Sequence, residues 1–288
     1  MTKKINSKTN LRNMLKDKTI LITGGGGSIC SVLVKKMLEF PVHSIRVLDI
    51  DEHSLFKLKR LVDDKRLRLL LGSVNDIERV DMACLDVDII IHGAAVKNVD
   101  ITEFNPFETI ETNIQGTMNM IKSAMKHHPK QFINISTDKA VSPSTLYGST
   151  KQIGEKLIHW ASDHINSTKF STIRFGNVIE TRGNIFELWL EQKQKNMPIE
   201  ITDPKMKRYF FHVDESVSFI LQCIKISKGG EIFIPKIKLY NIMHFANKIS
   251  KNHKIIGIRP GEKLSEVLLT DYEKKLSIEK SDMWIIKS

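Results

Sequence analysis

Cysteine is scarce and scattered in this chain of 288 residues. The three cysteines, Cys30, Cys84 and Cys223, lie far apart and form neither a CxxC pair nor a Cys/His ligand pattern. An odd and widely spaced set predicts neither a disulfide framework nor a zinc site, and we expect no metal ion. The expected location is therefore a reducing compartment, the cytoplasm.

Long apolar runs are missing as well. No stretch approaches the roughly 18 consecutive apolar residues that a membrane-spanning helix needs. Residues 1–15 are polar and lack the apolar segment of a signal peptide. We therefore expect no insertion into a membrane, and we interpret residues 1–15 as a polar N-terminal extension.

Acidic residues are outnumbered, since 44 Lys and Arg face 33 Asp and Glu and the formal net charge is +11. Such a balance suits nucleic acid, an anionic membrane surface or an anionic substrate. The lysines are scattered, however, and no basic run is interleaved with aromatic residues that would stack on bases. We expect no nucleic-acid partner, and a lysine-rich composition accounts for the charge as well as an anionic ligand does.

Short apolar runs alternate with segments of helical periodicity through the first part of the chain. They cover residues 19–23, 44–48, 67–71, 87–92, 132–136 and 171–175. Runs that are apolar on both faces and alternate with helices are typical of buried parallel strands. The predicted fold is therefore α/β, a doubly wound parallel sheet of the Rossmann type.

The pattern changes near residue 181, where proline turns and a Gly229-Gly230 break appear. We predict a dinucleotide-binding domain over 16–180 and a smaller, mainly substrate-binding domain over 181–288. The boundary is soft, because the helical segments near 181–195 and 214–226 belong partly to each layer.

A glycine cluster at 24–27 follows the first strand and opens a helix. Free backbone amides at such a helix N-terminus can hold a pyrophosphate. Asp49 ends the next strand, where a carboxylate accepts hydrogen bonds from a ribose diol. A carboxylate there repels a 2′-phosphate, so NAD is the predicted cofactor; Lys57 and Lys59 leave NADP open.

Tyr147 and Lys151 are four residues apart, which places the phenol and the ammonium on one helix face. A nearby ammonium lowers the pKa of a phenol from about 10 and makes it a usable base. The pair follows Asp138 and Lys139, at the carboxyl end of a predicted strand, where open α/β sheets bind ligands. Asp138 and Lys139 could divide proton donation and abstraction between them.

From about residue 15 to 272 the sequence resembles the polysaccharide-biosynthesis nucleotide-sugar dehydratases, which are extended short-chain dehydrogenases/reductases. The matching strings, in the family's order, are TGGGGSI, HGAAVKNVDITEFNPFETIETNIQGT, STDKAVSPSTLYGSTK, IRFGNV, RGNIFELW, ITDPKMKRYFFHVDES, GGEIFIPK and GIRPGEKLSEVLL. So many ordered matches are specific to the family.

The resemblance implies a role for each matched position. The implied cofactor-binding residues are Gly24, Gly27, Ser28, Ile29, Asp49, Ser73, Val74, Ala94, Ala95, Lys97, Tyr147 and Lys151. The implied catalytic residues are Thr137, Asp138, Lys139, Tyr147 and Lys151. The implied substrate-binding residues are Lys97, Asn177, Arg182, Arg208, Arg259 and Glu262.

The resemblance also implies a reaction, the 4,6-dehydration of UDP-N-acetylglucosamine. Tyr147 takes the proton of the hydroxyl on sugar carbon 4 while hydride passes to the cofactor, and Lys139 then takes the hydrogen of carbon 5. Asp138 protonates the departing 6-hydroxyl, and the hydride returns to carbon 6. Tyr147 favours inversion at carbon 5, and a homo-oligomer is expected.

Several positions depart from the family pattern. Cys30 replaces the third glycine of the turn, Asn98 and Ser265 replace histidines, and Glu180-Thr181 replaces Gly-Ser, while little chain follows the last match. Two alternatives stay open. A nucleotide-sugar 4-epimerase shares the tyrosine and lysine but has no use for Asp138 and Lys139, and a non-catalytic NAD-binding protein would need none of them.

Overall fold

The computed structural model describes residues 10–287 and is built around a nine-stranded sheet. The strands of this sheet are β1 (Thr19–Thr23), β2 (Ser44–Asp49), β3 (Leu67–Leu71), β4 (Ile89–His92), β5 (Gln131–Thr137), β6 (Lys169–Phe175), β10 (Glu231–Pro235), β13 (Ser277–Glu279) and β14 (Met283–Lys287). Their order is β13-β14-β10-β6-β5-β4-β1-β2-β3. The predicted doubly wound parallel sheet is thereby confirmed.

Besides the helical residues 10–15, five further strands and eleven α-helices lie in the described part of the chain. The strands are β7 (Asn177–Val178), β8 (Ile199–Ile201), β9 (Lys207–Phe211), β11 (Leu239–Asn241) and β12 (His253–Ile255). The α-helices are α1 (Ser28–Met37), α2 (Glu52–Leu61), α3 (Ile77–Cys84), α4 (Val99–Phe104), α5 (Pro106–Ile110), α6 (Gly116–His127), α7 (Leu146–His164), α8 (Ile185–Gln194), α9 (Val213–Ile226), α10 (Met243–Ile249) and α11 (Asp271–Leu276). A π-helical turn spans Glu111–Gln115, and a 3-10 turn spans Asp138–Ala140.

Seven neighbouring strands of the sheet, from β3 to β10, run parallel, and β14 pairs with β10 in the opposite direction. The strands are apolar on both faces because helices cover the sheet on both sides. Strand order reverses between β1 and β4. Ligands of open α/β sheets bind in the crevice at the carboxyl ends of strands beside such a reversal.

Residues after 180 contribute to two places. Strands β10, β13 and β14 widen the large sheet. Strands β9 and β11 form a three-stranded sheet with β7, which precedes residue 180, and β8 pairs with β12. The second region has a small apolar core of its own, which consists of Trp189, Ile199, Ile201, Met206, Ile242 and Ala246. The predicted division at residue 180 stays a prediction. Strands that follow residue 180 lie both in the large sheet and in the smaller region.

The predicted N-terminal extension lies partly outside the described residues, which begin at residue 10. Residues 10–15 are helical, and Leu11 and Leu15 are buried in the large core. This short segment therefore packs on the sheet domain. Between residues 10 and 287 no helix combines the length and the apolar character that crossing a membrane requires.

Candidate active site

A cavity of about 760 Å³ opens at the carboxyl ends of the central strands. It lies between the large sheet and the smaller region that follows residue 180. The predicted site residues that line it are Ile29, Ala95, Lys97, Thr137, Lys139, Tyr147, Lys151, Asn177, Arg182, Arg208, Arg259 and Glu262. The structure thus brings together residues that are as far apart in the sequence as Ile29 and Glu262.

The glycine turn between β1 and α1 has the shape that a pyrophosphate needs. Gly24 has a φ of +66°, and a Cβ atom there would lie 2.8 Å from the backbone of Ala94. Gly27 caps α1 without a side-chain hydrogen bond, so the first amides of the helix are not occupied by a capping side chain. Backbone close approach and exposed helix amides together fit a dinucleotide.

Asp49 reaches back from the end of β2 to this turn. Its Oδ2 accepts a hydrogen bond of 2.8 Å from the amide of Gly26, and its Oδ1 accepts one of 3.0 Å from the amide of Asp51. The carboxylate is therefore fixed beside the turn, where a ribose diol would meet it. Its predicted role toward the adenosine ribose stays a prediction.

The three remaining positions of the predicted cofactor set lie on neighbouring loops. Ser73 follows β3 and accepts a hydrogen bond of 3.1 Å from the amide of Asn75, and the oxygen of Val74 accepts one of 3.0 Å from Asn119. The amide of Ala94 donates to Thr23 at 3.3 Å. The Ala94 contact holds the loop after β4 next to the glycine turn, and the other two contacts fix the loop after β3 and join it to α6.

Cys30 occupies the place of the third glycine without separating helix from sheet. Its Sγ atom lies 2.7 Å from the position that a Cβ atom would take on Gly93. Gly93 therefore supplies the space that the missing glycine would have given. The thiol is buried, and burial, with a smaller contribution from Asp49, raises the pKa of Cys30 to about 12.

Helix α7 delivers Tyr147 and Lys151 to the cavity. The Thr145 side chain caps the helix by accepting a hydrogen bond of 3.1 Å from the amide of Gly148. Gly148 has no Cβ atom, which lets α7 lie directly on the backbone oxygen of Lys139. The first turn of α7 is thus packed against the Asp138–Ala140 turn.

The expected effect of Lys151 on Tyr147 is not found. Burial, followed by the carboxylate of Asp138, raises the pKa of Tyr147 above its ordinary value, and only a hydrogen bond with Thr137 opposes this rise. Burial also lowers the pKa of Lys151 to about 8, although Glu155 acts in the opposite direction. Loss of water around the two groups therefore opposes the charged form of both.

Asp138 and Lys139 lie in the 3-10 turn that directly follows β5. Asp138 is fully buried; its Oδ1 accepts hydrogen bonds from the Thr137 hydroxyl at 3.0 Å and from Lys139 Nζ at 3.2 Å. Its Oδ2 has no hydrogen-bond partner among residues 10–287. A buried carboxyl oxygen without a partner costs free energy, and a donor or acceptor on a bound ligand would remove that cost.

A buried ionic network includes Glu155, which lies on α7 near Lys151. Arg174, on β6, makes hydrogen bonds of 3.0 and 2.6 Å to the two oxygens of Glu155, and one of 2.9 Å to Glu273. Ser136 donates to Glu155 at 2.6 Å. Glu155 is one helical turn after Lys151, so the network fixes a negative charge close to that lysine.

Four of the predicted substrate residues line the part of the cavity that is formed by the chain after residue 176, which we call the far wall. Arg208 is buried and donates to backbone oxygens at 2.9 and 3.3 Å, whereas Arg259 pairs with Asp100 at 3.4 Å. Glu262 accepts a hydrogen bond of 3.3 Å from the amide of Arg259, and Asn177 donates to the oxygen of Tyr209 at 3.2 Å. Their contact with a substrate stays a prediction.

Arg182, implied by the resemblance as a substrate residue, lines the cavity and contacts the glycine turn. Its guanidinium donates to the oxygen of Gly26 and to the hydroxyl of Ser54, both at 3.0 Å, and its amide donates to Ser28 at 2.9 Å. Its oxygen accepts a hydrogen bond of 3.1 Å from Lys97. This loop therefore closes over the glycine turn, and the substrate role of Arg182 stays a prediction.

Sequence reasoning missed residues that organise the site. Asn113 lies in the π-helical turn and bonds to both the amide and the oxygen of Val96, and also to Thr150 on α7, at 2.8 to 3.0 Å. Glu266, three residues after the RPGEK string, approaches Lys139 and also pairs with Lys263. The π-helical turn has no clear sequence signature, whereas the charged string around Glu266 was matched without a role.

The fold, the glycine turn and the Tyr147–Lys151 couple define an extended short-chain dehydrogenase/reductase. The sequence profile of the family described as "Polysaccharide biosynthesis protein" matches residues 20–288. The chain therefore belongs to the polysaccharide biosynthesis protein family.

Several relatives are similar over most of their length. An "uncharacterized membrane protein" of Methanocaldococcus jannaschii is 40% identical, with 96% of this chain and 88% of that protein covered. A "UDP-N-acetylglucosamine 4,6-dehydratase (inverting)" of Campylobacter jejuni is 38% identical, over 95% and 84% of the two chains. A "UDP-glucose 4-epimerase" of Rickettsia bellii is 34% identical, over 90% and 80%.

Among solved structures, the X-ray structure of Pen from Bacillus thuringiensis is similar to this chain. The TM-score is 0.92 at 34% identity, and the alignment covers 95% of this chain and 88% of that chain. The similarity extends through the smaller region after residue 180 as well as through the sheet.

Proposed function

We propose that the protein is a UDP-N-acetylglucosamine 4,6-dehydratase that uses NAD, or alternatively NADP, as its cofactor. The observation that carries this proposal is the packing of the Asp138–Lys139 pair against the helix that bears Tyr147 and Lys151. Oxidation at a sugar carbon needs only the tyrosine and the lysine. A second acid–base pair, of which Lys139 lines the cavity and Asp138 is buried directly beside it, suits an elimination reaction.

The cofactor would bind at the glycine turn. A nicotinamide dinucleotide supplies a reversible hydride acceptor when it is bound. The amides at the start of α1 would hold its pyrophosphate, Asp49 its adenosine ribose, and Ser73 and Val74 its adenine. Ala94, Ala95 and Lys97 follow β4 and would lie along the phosphates and the nicotinamide ribose.

Tyr147 would take the proton from the hydroxyl on sugar carbon 4. The negative charge of Asp138 opposes this, since it raises the pKa of Tyr147. If Asp138 carries a proton, as its role as an acid requires, that opposition disappears. Burial of Tyr147 still opposes the phenolate, and stabilisation of the phenolate by the Lys151 ammonium stays a prediction.

Elimination would follow at carbons 5 and 6. The ketone at carbon 4 acidifies the hydrogen on carbon 5, and the Lys139 amine would accept that proton. Asp138 would give its proton to the 6-hydroxyl, which leaves as water as the double bond forms. The unpartnered Oδ2 of Asp138 is the oxygen available for this transfer.

The substrate phosphates would lie against the arginines of the far wall. Guanidinium groups bind phosphate oxygens through paired hydrogen bonds, and Arg208 and Arg259 both line the cavity. Asn177 and Glu262 would orient the nucleotide. Assembly into a homo-oligomer stays a prediction.

A 4-epimerase is the second candidate, because a relative with that name is similar over 90% of this chain. An epimerase would use Tyr147 and Lys151 in the same way and would return the hydride to carbon 4. The presence of Asp138 and Lys139 next to them favours dehydration over epimerisation.

Mass spectrometry of UDP-N-acetylglucosamine after incubation with the protein and NAD or NADP tests the proposal. We expect loss of one water from the sugar nucleotide, and no loss of water with Lys139→Ala. A product of unchanged mass with altered configuration at carbon 4 would favour the epimerase instead. An untouched sugar nucleotide with tightly bound cofactor would reject both reactions on this substrate.

A further inference from the structure

Glu266 is a second carboxylate beside Lys139 in the candidate active site. It lines the cavity and is only 5% exposed. Its Oε1 lies 3.9 Å from Lys139 Nζ, and its Oε2 lies 3.7 Å from Lys263 Nζ. Among the described residues, Oε2 has no hydrogen-bond partner. Asp138, Lys139, Glu266 and Lys263 therefore form a row of alternating charges.

The RPGEK segment, which directly precedes Glu266 in the sequence, is hydrogen-bonded to the loop that follows the Asp138–Ala140 turn. Lys263 donates to the oxygen of Val141 at 2.9 Å, and the Ser144 hydroxyl donates to the oxygen of Gly261 at 2.6 Å. A buried carboxylate is expensive unless cations and donors surround it. The only cations within 4.0 Å of Glu266 in residues 10–287 are Lys139 and Lys263.

The positions of the protons during elimination indicate a role for the Glu266 carboxylate. When the carbon 5 hydrogen passes to the Lys139 amine, Lys139 becomes an ammonium. Until the 6-hydroxyl leaves, Asp138 still holds its own proton and carries no charge. In that interval Asp138 cannot act as the counter-ion of Lys139, and an unpaired ammonium on this side chain, which is only 20% exposed, would raise the barrier.

We infer that Glu266 is a positioning residue that acts as the counter-ion of Lys139 during removal of the carbon 5 proton. This inference rests on the proposed dehydratase function. Glu266 itself neither gives nor takes a proton in this account. When Asp138 releases its proton to the leaving water, its carboxylate becomes the nearer partner of Lys139 again, at the 3.2 Å seen in the structure.

Separate measurements of the two chemical stages in Glu266→Gln test the inference. Borodeuteride trapping of quenched reactions measures the 4-ketone that still bears its 6-hydroxyl, and the 6-deoxy product is measured in the same samples. Deuterium uptake at carbon 5 in ²H₂O reports proton removal. We expect elimination and deuterium uptake to fall about tenfold or more, because the ammonium formed on Lys139 loses its counter-ion, while oxidation at carbon 4 persists.

Glu231→Gln is the matched control, because Glu231 is also 5% exposed but lies at the start of β10. There its carboxylate accepts hydrogen bonds from the Ser171 hydroxyl and the Gly229 amide. It should change thermal stability without changing the ratio of the two stages. Glu266→Asp, which keeps the charge, should recover part of the lost elimination.

Each result has one meaning. Equal elimination rates in wild type and Glu266→Gln overturn the inference, as does an equal loss of both stages together with cofactor binding. A wild-type protein that forms neither the ketone nor the 6-deoxy sugar rejects the proposed function, and the inference is then rejected with it.

Discussion

Gly148 on α7 lies directly against the backbone oxygen of Lys139. No side chain fits between the helix that carries Tyr147 and the turn that carries the acid–base pair. The contact sets the spacing between the groups proposed for oxidation and those proposed for elimination.

Gly148→Ala should therefore separate the two groups. The added methyl must displace either α7 or the Asp138–Ala140 turn, and a misplacement of about 1 Å can cost on the order of a hundredfold in rate. We expect a loss of kcat of that order with the fold retained, as measured by steady-state kinetics and circular dichroism. Gly154→Ala is the control, because a Cβ atom on Gly154 meets no atom within 4 Å. It should leave kcat unchanged and stabilise α7 by about 0.5–1 kcal/mol.

Glu155→Gln should shift the pH dependence of the reaction. Burial lowers the pKa of Lys151 to about 8, so its ammonium is present below that pH and is lost as the pH rises through it. Because Glu155 favours the ammonium, its neutralisation lowers the pKa of Lys151 further. The alkaline fall of kcat/KM, which reports the free enzyme, should move to lower pH. His92 stays neutral over this range, since burial lowers its pKa to about 3.

A fall of kcat/KM at the same pH in Glu155→Gln and wild type would show that Lys151 does not control that limb. Glu231→Gln is again the control, because it removes a carboxylate of equal burial far from the cavity.

Arg182 and Arg259 should affect different ligands. The guanidinium of Arg182 lies on the glycine turn, so Arg182→Lys should weaken cofactor binding by about 0.5–2 kcal/mol, the value of one or two hydrogen bonds, and leave sugar-nucleotide binding nearly unchanged. Arg259→Lys should do the reverse. Isothermal titration with each ligand separates the two effects. Weaker sugar-nucleotide binding in Arg182→Lys would support the substrate role that the resemblance implies.

Cys30→Gly should restore the usual turn at a cost in stability. The variant loses a buried side chain and gains the flexibility of glycine in a helix, which together cost about 1–2 kcal/mol. Cofactor affinity should stay within about twofold of wild type, because Gly93 already provides the space for Cys30. Chemical denaturation and cofactor titration measure the two quantities. A large gain in affinity would show that Cys30 obstructs the turn.

The first six strands were predictable because each is short, apolar on both faces and followed by a helix. The run predicted at 87–92 begins as a strand only at Ile89. The return of β10, β13 and β14 to the large sheet was not predictable. Ser277–Glu279 is a short, half-polar edge strand, and its pairing with β14 is a tertiary contact without a local pattern.

The site divides in the same way. Local spacing is enough to bring Tyr147 and Lys151 to one helix face, but the burial that controls their pKa values depends on the whole fold. Asn113 and Glu266 act through distant partners, Thr150 and Lys139, and nothing near them in the sequence indicates those contacts. The contact of Arg182 with Gly26 joins residues 156 positions apart.

Transfer of a label within the sugar tests the central proposal most directly. UDP-N-acetylglucosamine that carries deuterium on carbon 4 is incubated with the protein and cofactor, and the product is examined by NMR. The account predicts a 4-keto-6-deoxy sugar with that deuterium in its new methyl group, because the hydrogen removed from carbon 4 returns to carbon 6. Deuterium that stays on carbon 4 of an epimerised sugar, or a methyl group without the label, would contradict it.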